Sequence, residues 1–255
     1  GIFGAVTGDI SNVSFSNITV NAYNSAYVGI AALGYGKNYN IDLNKVFIKG
    51  TFGTVPDRRA AGGLVGRLSG SGGVCDTTAT NLVVEGRDYV GGIVGMQEDG
   101  RNLWNIKVEN AVVSALTSSS SGSYVGGIAG QANSNALANR FGNNSVKQAV
   151  VAGNSYIGGV DGQGNIMGDS SLTNLQNEGF ITYAENVFVS GTGSMVGAVS
   201  GEGEVYRAEV RNAYVYGTYN VGGITGNGPV QLSACLDSVI GTVFDRESSA
   251  PNGGN

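Results

Sequence analysis

The sequence predicts an all-β fold, a parallel β-helix (β-solenoid) with about three short strands per coil and roughly seven to eight coils of about 32 residues. Three observations predict it. A glycine-rich hexad recurs along the chain, and a second, apolar marker recurs between its copies. Glycine takes 44 of 255 positions while charged residues make up 13%, about half the ordinary share. The steady supply of Val, Ile, Leu and Tyr marks a chain that folds.

The first repeated element is seen in full in "YVGGIVG", Tyr89 to Gly95. Glycine weakens a strand interior, so three glycines in seven residues point to another backbone coming close. Eight copies occur, starting at Gly1, Val28, Ala61, Val90, Val125, Ile157, Val196 and Val221. From the second copy on, the leading glycines fall at Gly29, Gly62, Gly91, Gly126, Gly158, Gly197 and Gly222, at intervals of 33, 29, 35, 32, 39 and 25. The copy "VGIAALG" reads as stretched, Asp161 stands where a small or apolar residue is expected, and Ala198 replaces the second glycine.

The second element runs "NITVN" at Asn17, "KVFIKG" at Lys45, "NLVVEG" at Asn81 and "NAVVSA" at Asn110. It continues at Gln148, Asn186 and Asn212 and ends as "DSVIG" at Asp237. The third element alternates, as in "NLWNIKVEN" and "DISNVSFSN". All three are too short and too rich in Val, Thr, Tyr and Gly for helices. Propeller blades need about 40 residues or more each. Stacking at ~4.8 Å instead sets each residue above its counterpart, so a small residue in a tight place stays small in every coil. Residues 1–244 are expected to form one solenoid domain, and 245–255 a linker or disordered tail.

The "GLVG"-type cores, Gly63 to Gly66, Gly92 to Gly95, Gly127 to Gly130 and Gly223 to Gly226, resemble the GLUG motif. That repeat of bacterial surface and secreted proteins includes the non-catalytic region of immunoglobulin A metallopeptidases. The resemblance implies a bacterial extracellular or cell-surface solenoid used as a stalk, adhesin or spacer, and no catalytic residues; no cofactor or metal is expected either.

Composition narrows the function. A net charge of −5 with Arg58-Arg59 as the one adjacent basic pair argues against nucleic acid. No apolar run approaches the ~18 residues of a membrane span. The chain has no histidine, which removes Ser-His-Asp and Cys-His nucleophiles and His-containing zinc sites. Because the chain opens inside a repeat, a missing secretory signal says nothing about export.

Several features need weighing. Cys75 and Cys235 each lie nine residues beyond a motif's last glycine, so they are expected in one interior column, five coils and ~24 Å apart, too far for a disulfide. Asp161 and Asp169 in "GGVDGQGNIMGD" lack the oxygens that calcium wants and are expected as solvated turn residues. Glu98-Asp99 and Glu202/Glu204 are expected as turn charges, since the two sites are three coils apart. "SGSGG" at Ser69 is followed by neither Lys-Ser/Thr nor a helix, so it is no phosphate loop.

The candidate ligand or partner contacts are Tyr89, Tyr124 and Tyr156, together with Arg58, Arg59 and Arg140. The tyrosines precede the motif in consecutive coils and would stack as a ladder, an aromatic strip for sugars or a structural stack. Tyr27 shares their place. The arginines lie on long insertions, Thr51 to Ala60 and Ala132 to Asn144, which with Leu116 to Ser123 and Gly164 to Ala184 project from the scaffold. The expected function is a non-catalytic structural or adhesive segment of a larger bacterial protein. Flanking domains or neighbouring subunits would cap its ends, and a host glycan or a protein is the expected ligand. The alternatives are a polysaccharide-binding or -degrading solenoid, the scaffold of a secreted protease, and an ice binder, for which the threonines are too scattered.

Overall fold

A computed structural model describes residues 1–51, 59–70, 72–98, 102–115, 123–132, 141–166 and 181–242 of the chain. It is a parallel β-helix. Every strand pairing is parallel, and each coil passes once through three sheets. The first sheet stacks Phe3–Val6, Ala31–Gly34, Val65–Leu68, Val94–Gln97, Ala129–Ala132, Asp161–Gln163, Ser200–Glu202 and Thr225–Asn227. The second carries the long strands Ile10–Tyr23, Lys37–Thr51, Gly73–Gly86 and Leu103–Ala115, then Ser145–Gly153, Thr182–Gly191, Ala208–Arg211 and Ala234–Leu236. The third stacks Tyr27–Val28, Ala60–Gly62, Tyr89–Gly91, Tyr124–Gly126, Ile157–Gly158, Ser194–Gly197 and Tyr219–Gly222. Eight passes through the first sheet make eight coils, the last without its third-sheet strand among the described residues. The expected linker at 245–255 lies outside them.

The glycine columns stand where the hexad placed them. Gly62, Gly91, Gly126, Gly158, Gly197 and Gly222 pair in sequence along the third sheet. At Gly91 a Cβ would lie 1.8 Å from the carbonyl oxygen of Val94, and at Gly126 2.0 Å from that of Ala129. No side chain fits, because the chain turns there from the third sheet into the first. The hexad's last glycines meet a different obstacle. A Cβ on Gly130 would lie 2.5 Å from the Val90 nitrogen, so the first and third sheets touch backbone to backbone along a thin edge.

The second marker begins at a bend. Asn17, Lys45, Asn81, Asn110, Gln148, Asn186, Asn212 and Asp237 all have φ of 49–55°, the left-handed conformation that Asn and Asp tolerate best. Register aligns them in one column. A second such column, Asn12, Asn40, Asp76, Asn105 and Asn143, precedes it by five residues, with hydrogen bonds from side-chain amides joining Asn12 to Asn40 and Asp76 to Asn105 to Asn143. Asn40 Nδ2 donates to Asn12 Oδ1 at 2.7 Å, and Asn105 Nδ2 to Asp76 Oδ1 at 2.7 Å. Each long strand is therefore three straight segments.

Side chains alternate about these segments. Val46, Leu82, Ala111, Ala149 and Val187 point inward, as do Ile48, Val84, Val113, Val151 and Val189 two residues on, all at most 3% exposed. Between them Val112, Val150, Phe188 and Tyr214 form an outward row, 40–50% exposed.

Three expectations are corrected. The copy at Val28 is one residue short, not stretched: Val28 pairs with Ala61 but Ala31 with Val65, so the second glycine is missing and Ile30 follows Gly29 directly. Cys75 stands in register with Tyr39 and Trp104, whereas Cys235 stands with Val210, in the column of Ala184, Val146, Val108 and Ala79. The last two coils reach this column nine residues after the hexad, where the third coil, which holds Cys75, takes thirteen, so equal sequence spacing gives different places. Neither cysteine is buried, and both are free thiols. Asp161 is fully buried, not a solvated turn residue.

Candidate functional site

Two surfaces run along the solenoid. The first is the thin edge. Tyr89 and Tyr124 stack with ring centroids 4.9 Å apart and planes 4° from parallel, and Tyr124 and Tyr156 are 4.6 Å and 20° apart. The stacking distance of the coils fixes this spacing, so the rings cover one another's faces. The stack ends towards Ala60 on one side and Met195 on the other. Burial, followed by the neighbouring Tyr89, Tyr156 and Glu202, pushes the Tyr124 hydroxyl up to about 12. Tyr27 lies one coil beyond Ala60, where the Arg67 guanidinium sits 5.1 Å above its ring and donates to its hydroxyl at 2.7 Å.

Beside the tyrosines runs a polar row. Gln131 donates to Gln163 at 2.7 Å, Gln163 to Glu202 at 2.6 Å, and Asn227 to Glu202 at 3.1 Å. Arg67 pairs with Glu98, whose carboxylate also accepts from Ser69 at 3.0 Å. These carboxylates are tied into ladders between coils. They are not loose turn charges. The Arg59 guanidinium is spent on Asp88, Nε to Oδ2 at 2.7 Å, with both side chains largely buried. Arg58 and Arg140 lie outside the described residues, as do Asp99, Asp169 and most of the four insertions.

The second surface is a groove on the outer face of the second sheet, along the Asn12–Asn143 column. Over coils four to seven it encloses about 620 Å³, lined by Asn105, Asn143, Lys107, Lys147, Tyr183 and Glu185, with Glu209 and Arg211 at its end. Over coils one to three a smaller stretch of about 330 Å³ continues along the same columns, lined by Asn12, Asn40, Asp42, Asp76 and Thr78.

Alternation sets the walls. Thr78, Lys107, Ser145, Tyr183 and Glu209 share one outward register, and Glu109, Lys147, Glu185 and Arg211 the next. Lys147 and Glu185 pair at 2.7 Å, which raises the ammonium's pKa and lowers the carboxyl's. Arg211 pairs with Glu209. Asn144, buried behind the bend, accepts from Ile106 N at 2.9 Å and donates to Leu103 O at 3.0 Å, holding Asn143 in place.

Sequence reading passed over this groove. Its residues belong to the alternating third element, whose outward positions look like ordinary solvated strand residues. The signal that could have exposed it was an Asn or Asp five residues before the second marker in each of the first five coils. Among the described residues no group of three Asp, Glu or Cys side chains stands close enough to hold a metal ion.

No protein-family model matches the chain, and no curated protein does. Among solved structures, the chain is similar to one described as a "putative immunoglobulin A1 protease" from Bacteroides ovatus, with a TM-score of 0.51 and 16% identity. The similarity covers 95% of this chain and 65% of that one, so the chain spans about two thirds of the other's length. At that identity the likeness is one of fold alone.

Proposed function

We propose that this chain is a non-catalytic β-solenoid segment of a larger secreted or cell-surface bacterial protein, a rigid rod that presents binding surface along its length. The observation that carries it is the outer groove, a polar concavity that runs over coils four to seven. Its carboxylates are paired with cations, and Glu185 is held below its usual range. A glycoside-cleaving site needs the reverse, a carboxyl raised towards neutrality opposite a second carboxylate.

The fold likeness to the Bacteroides ovatus structure supports the secreted context, and the stacked glycine columns support reading the repeats as GLUG-type. The likeness also favours a second reading, the scaffold of a secreted protease whose catalytic part lies elsewhere. Incubating the chain with neutral and acidic polysaccharides and with immunoglobulin A1 is expected to give no new reducing ends, no unsaturated sugars and no cleaved heavy chain. Turnover of any of these would overturn the non-catalytic reading.

A further inference from the structure

We propose that the groove over coils four to seven is a binding site for a linear glycan, uncharged or weakly acidic, lying parallel to the coil axis with about one sugar residue per coil. This deepens the proposed function and relies on it only for the absence of turnover.

The chemistry of the lining selects the ligand class. Amides from Asn105 and Asn143, the hydroxyl of Ser145 and the paired charges of Lys147, Glu185, Glu209 and Arg211 offer donors and acceptors. The one ring, Tyr183, is 38% exposed. Such a surface has little to offer an apolar peptide, whose docking needs hydrophobic pockets. It suits pyranoses, which present hydroxyls around their rim and an apolar face to a ring.

Periodicity points the same way. Coils stack every ~4.8 Å, close to the length of one pyranose in an extended chain, so each coil sets one outward side chain of a register, Lys107, Ser145, Tyr183 or Glu209, against one sugar. The amide column Asn12, Asn40, Asp76, Asn105 and Asn143 runs beside both stretches of groove, so a polymer leaving the deeper stretch continues along the shallower. A folded protein partner has no reason to repeat at this interval.

Charge sets the preference. Lys147 and Arg211 are paired with carboxylates, whereas Lys107 makes no ion pair with a described residue and stands in register beside Ser145. Lys107 is placed to meet an occasional sugar carboxylate. Asp42 and Asp76 in the shallow stretch, which has no cation in its described lining, disfavour a strongly anionic polymer, while the ion pairs of Glu185 and Glu209 leave Lys107 as the uncompensated charge of the deep one. The tyrosine ladder on the thin edge is the weaker candidate, since its ring faces are already covered.

Isothermal titration of the full chain with cellopentaose, the pentamer of N-acetylglucosamine and a galacturonic acid pentamer tests this, each against its dimer. At least one pentamer is expected to bind at least about tenfold more tightly than its dimer. Tyr183→Ala is expected to weaken that pentamer at least about fivefold, and Lys107→Ala to weaken only the acidic one, with Gln131→Ala on the thin edge unchanged. Circular dichroism and melting establish that each variant is folded. The proposal is overturned if no pentamer binds, if affinity ignores chain length, or if folded Tyr183→Ala binds as tightly as the parent. Those outcomes leave the non-catalytic reading standing, because that reading fails only on product formation.

Discussion

A methyl group on Gly126 would sit 2.0 Å from the carbonyl oxygen of Ala129, and one on Gly4 would meet nothing within 4 Å. The two glycines look alike in the sequence and have opposite sensitivities. Gly126→Ala is expected to cost several kcal/mol, at the exceptional end for a single substitution, and Gly4→Ala less than about 0.5 kcal/mol. Denaturation midpoints of the two variants decide it. Asp161 is a different kind of residue-scale anomaly. Its register partners are Ala129 on one side and Ser200 on the other, so the position turns polar in the later coils. Neither carboxyl oxygen makes a well-formed hydrogen bond among the described residues, and the side chain is wholly buried. Burial therefore pushes the carboxyl well above its usual range, only partly offset by the nearby backbone N–H groups of Gln163, Ala132 and Gly162. The unfolded chain gives up this proton near the ordinary value of 3.8 while the folded chain keeps it. The folded state then binds more protons, and stability falls as pH rises above about 4 until the folded carboxyl itself ionises. Replacing Asp161 by Ser, the residue Ser200 already supplies in the next coil, is expected to remove this loss. Its melting temperature should exceed the parent's at pH 7 by more than it does at pH 4; an equal difference at both would mean that the buried acid is not linked to folding.

At the scale of the element, the bends matter more than the strands they separate. Asn, Lys, Gln and Asp all occupy the left-handed column that opens the second marker, so intrinsic preference does not alone dictate the conformation; the stacked backbone on either side imposes it. Where Asn is present it adds a bond along the axis, as from Asn110 Nδ2 to Asn81 Oδ1. Asn110→Gly loses only that bond, whereas Asn110→Val also forces a β-branched residue to φ near 54°. The valine variant is expected to be less stable than the glycine variant by about 1–2 kcal/mol, measured by urea titration. Equal stability would remove the bend from the list of things holding the coil. The same elements show what the sequence made legible. The hexad announced itself because a glycine forced by backbone contact tolerates few substitutes, so its period survives in Gly62, Gly91 and Gly126. The second marker was visible for its apolar run, but its opening Asn read only as punctuation, since a single αL residue leaves no periodic trace beyond its own identity. The groove was hidden for that reason: its walls are set by two such bends, and its lining by outward positions that no packing constrains. Asp161 was misread because a lone acid among glycines looks solvated until register sets it in a buried column.

For the molecule as a whole, the consequence of stacking is that each coil touches only its two neighbours, so stability is a sum of coils and their interfaces. The registers make this testable without designing a junction. Val90 pairs with Val125 and Gly91 with Gly126, and the fifth coil continues each column of the fourth. Removing residues 91–125 therefore joins Val90 to Gly126 and lays the third coil directly on the fifth. Gly66 then faces Gly130, Leu82 faces Ala149, and Tyr89 comes next to Tyr156. Most interior columns keep an apolar or glycine occupant, as where Ala149 fills the place that Ala111 held against Leu82; the exception is buried Thr77, which comes to face buried Asn144 in place of Ile106. The shortened chain is expected to fold with a β-type circular dichroism spectrum of unchanged intensity per residue and a melting temperature lower by only a few degrees. A globular core of mutually dependent parts would collapse on losing 35 residues from its middle, so a molten or insoluble product would mean that the coils are not interchangeable units. The deletion also removes Asn105 and Lys107 from the groove and shortens it by one repeat. A folded variant that still prefers long glycans but no longer favours acidic ones would tie the rod's length to its binding site, one coil to one sugar.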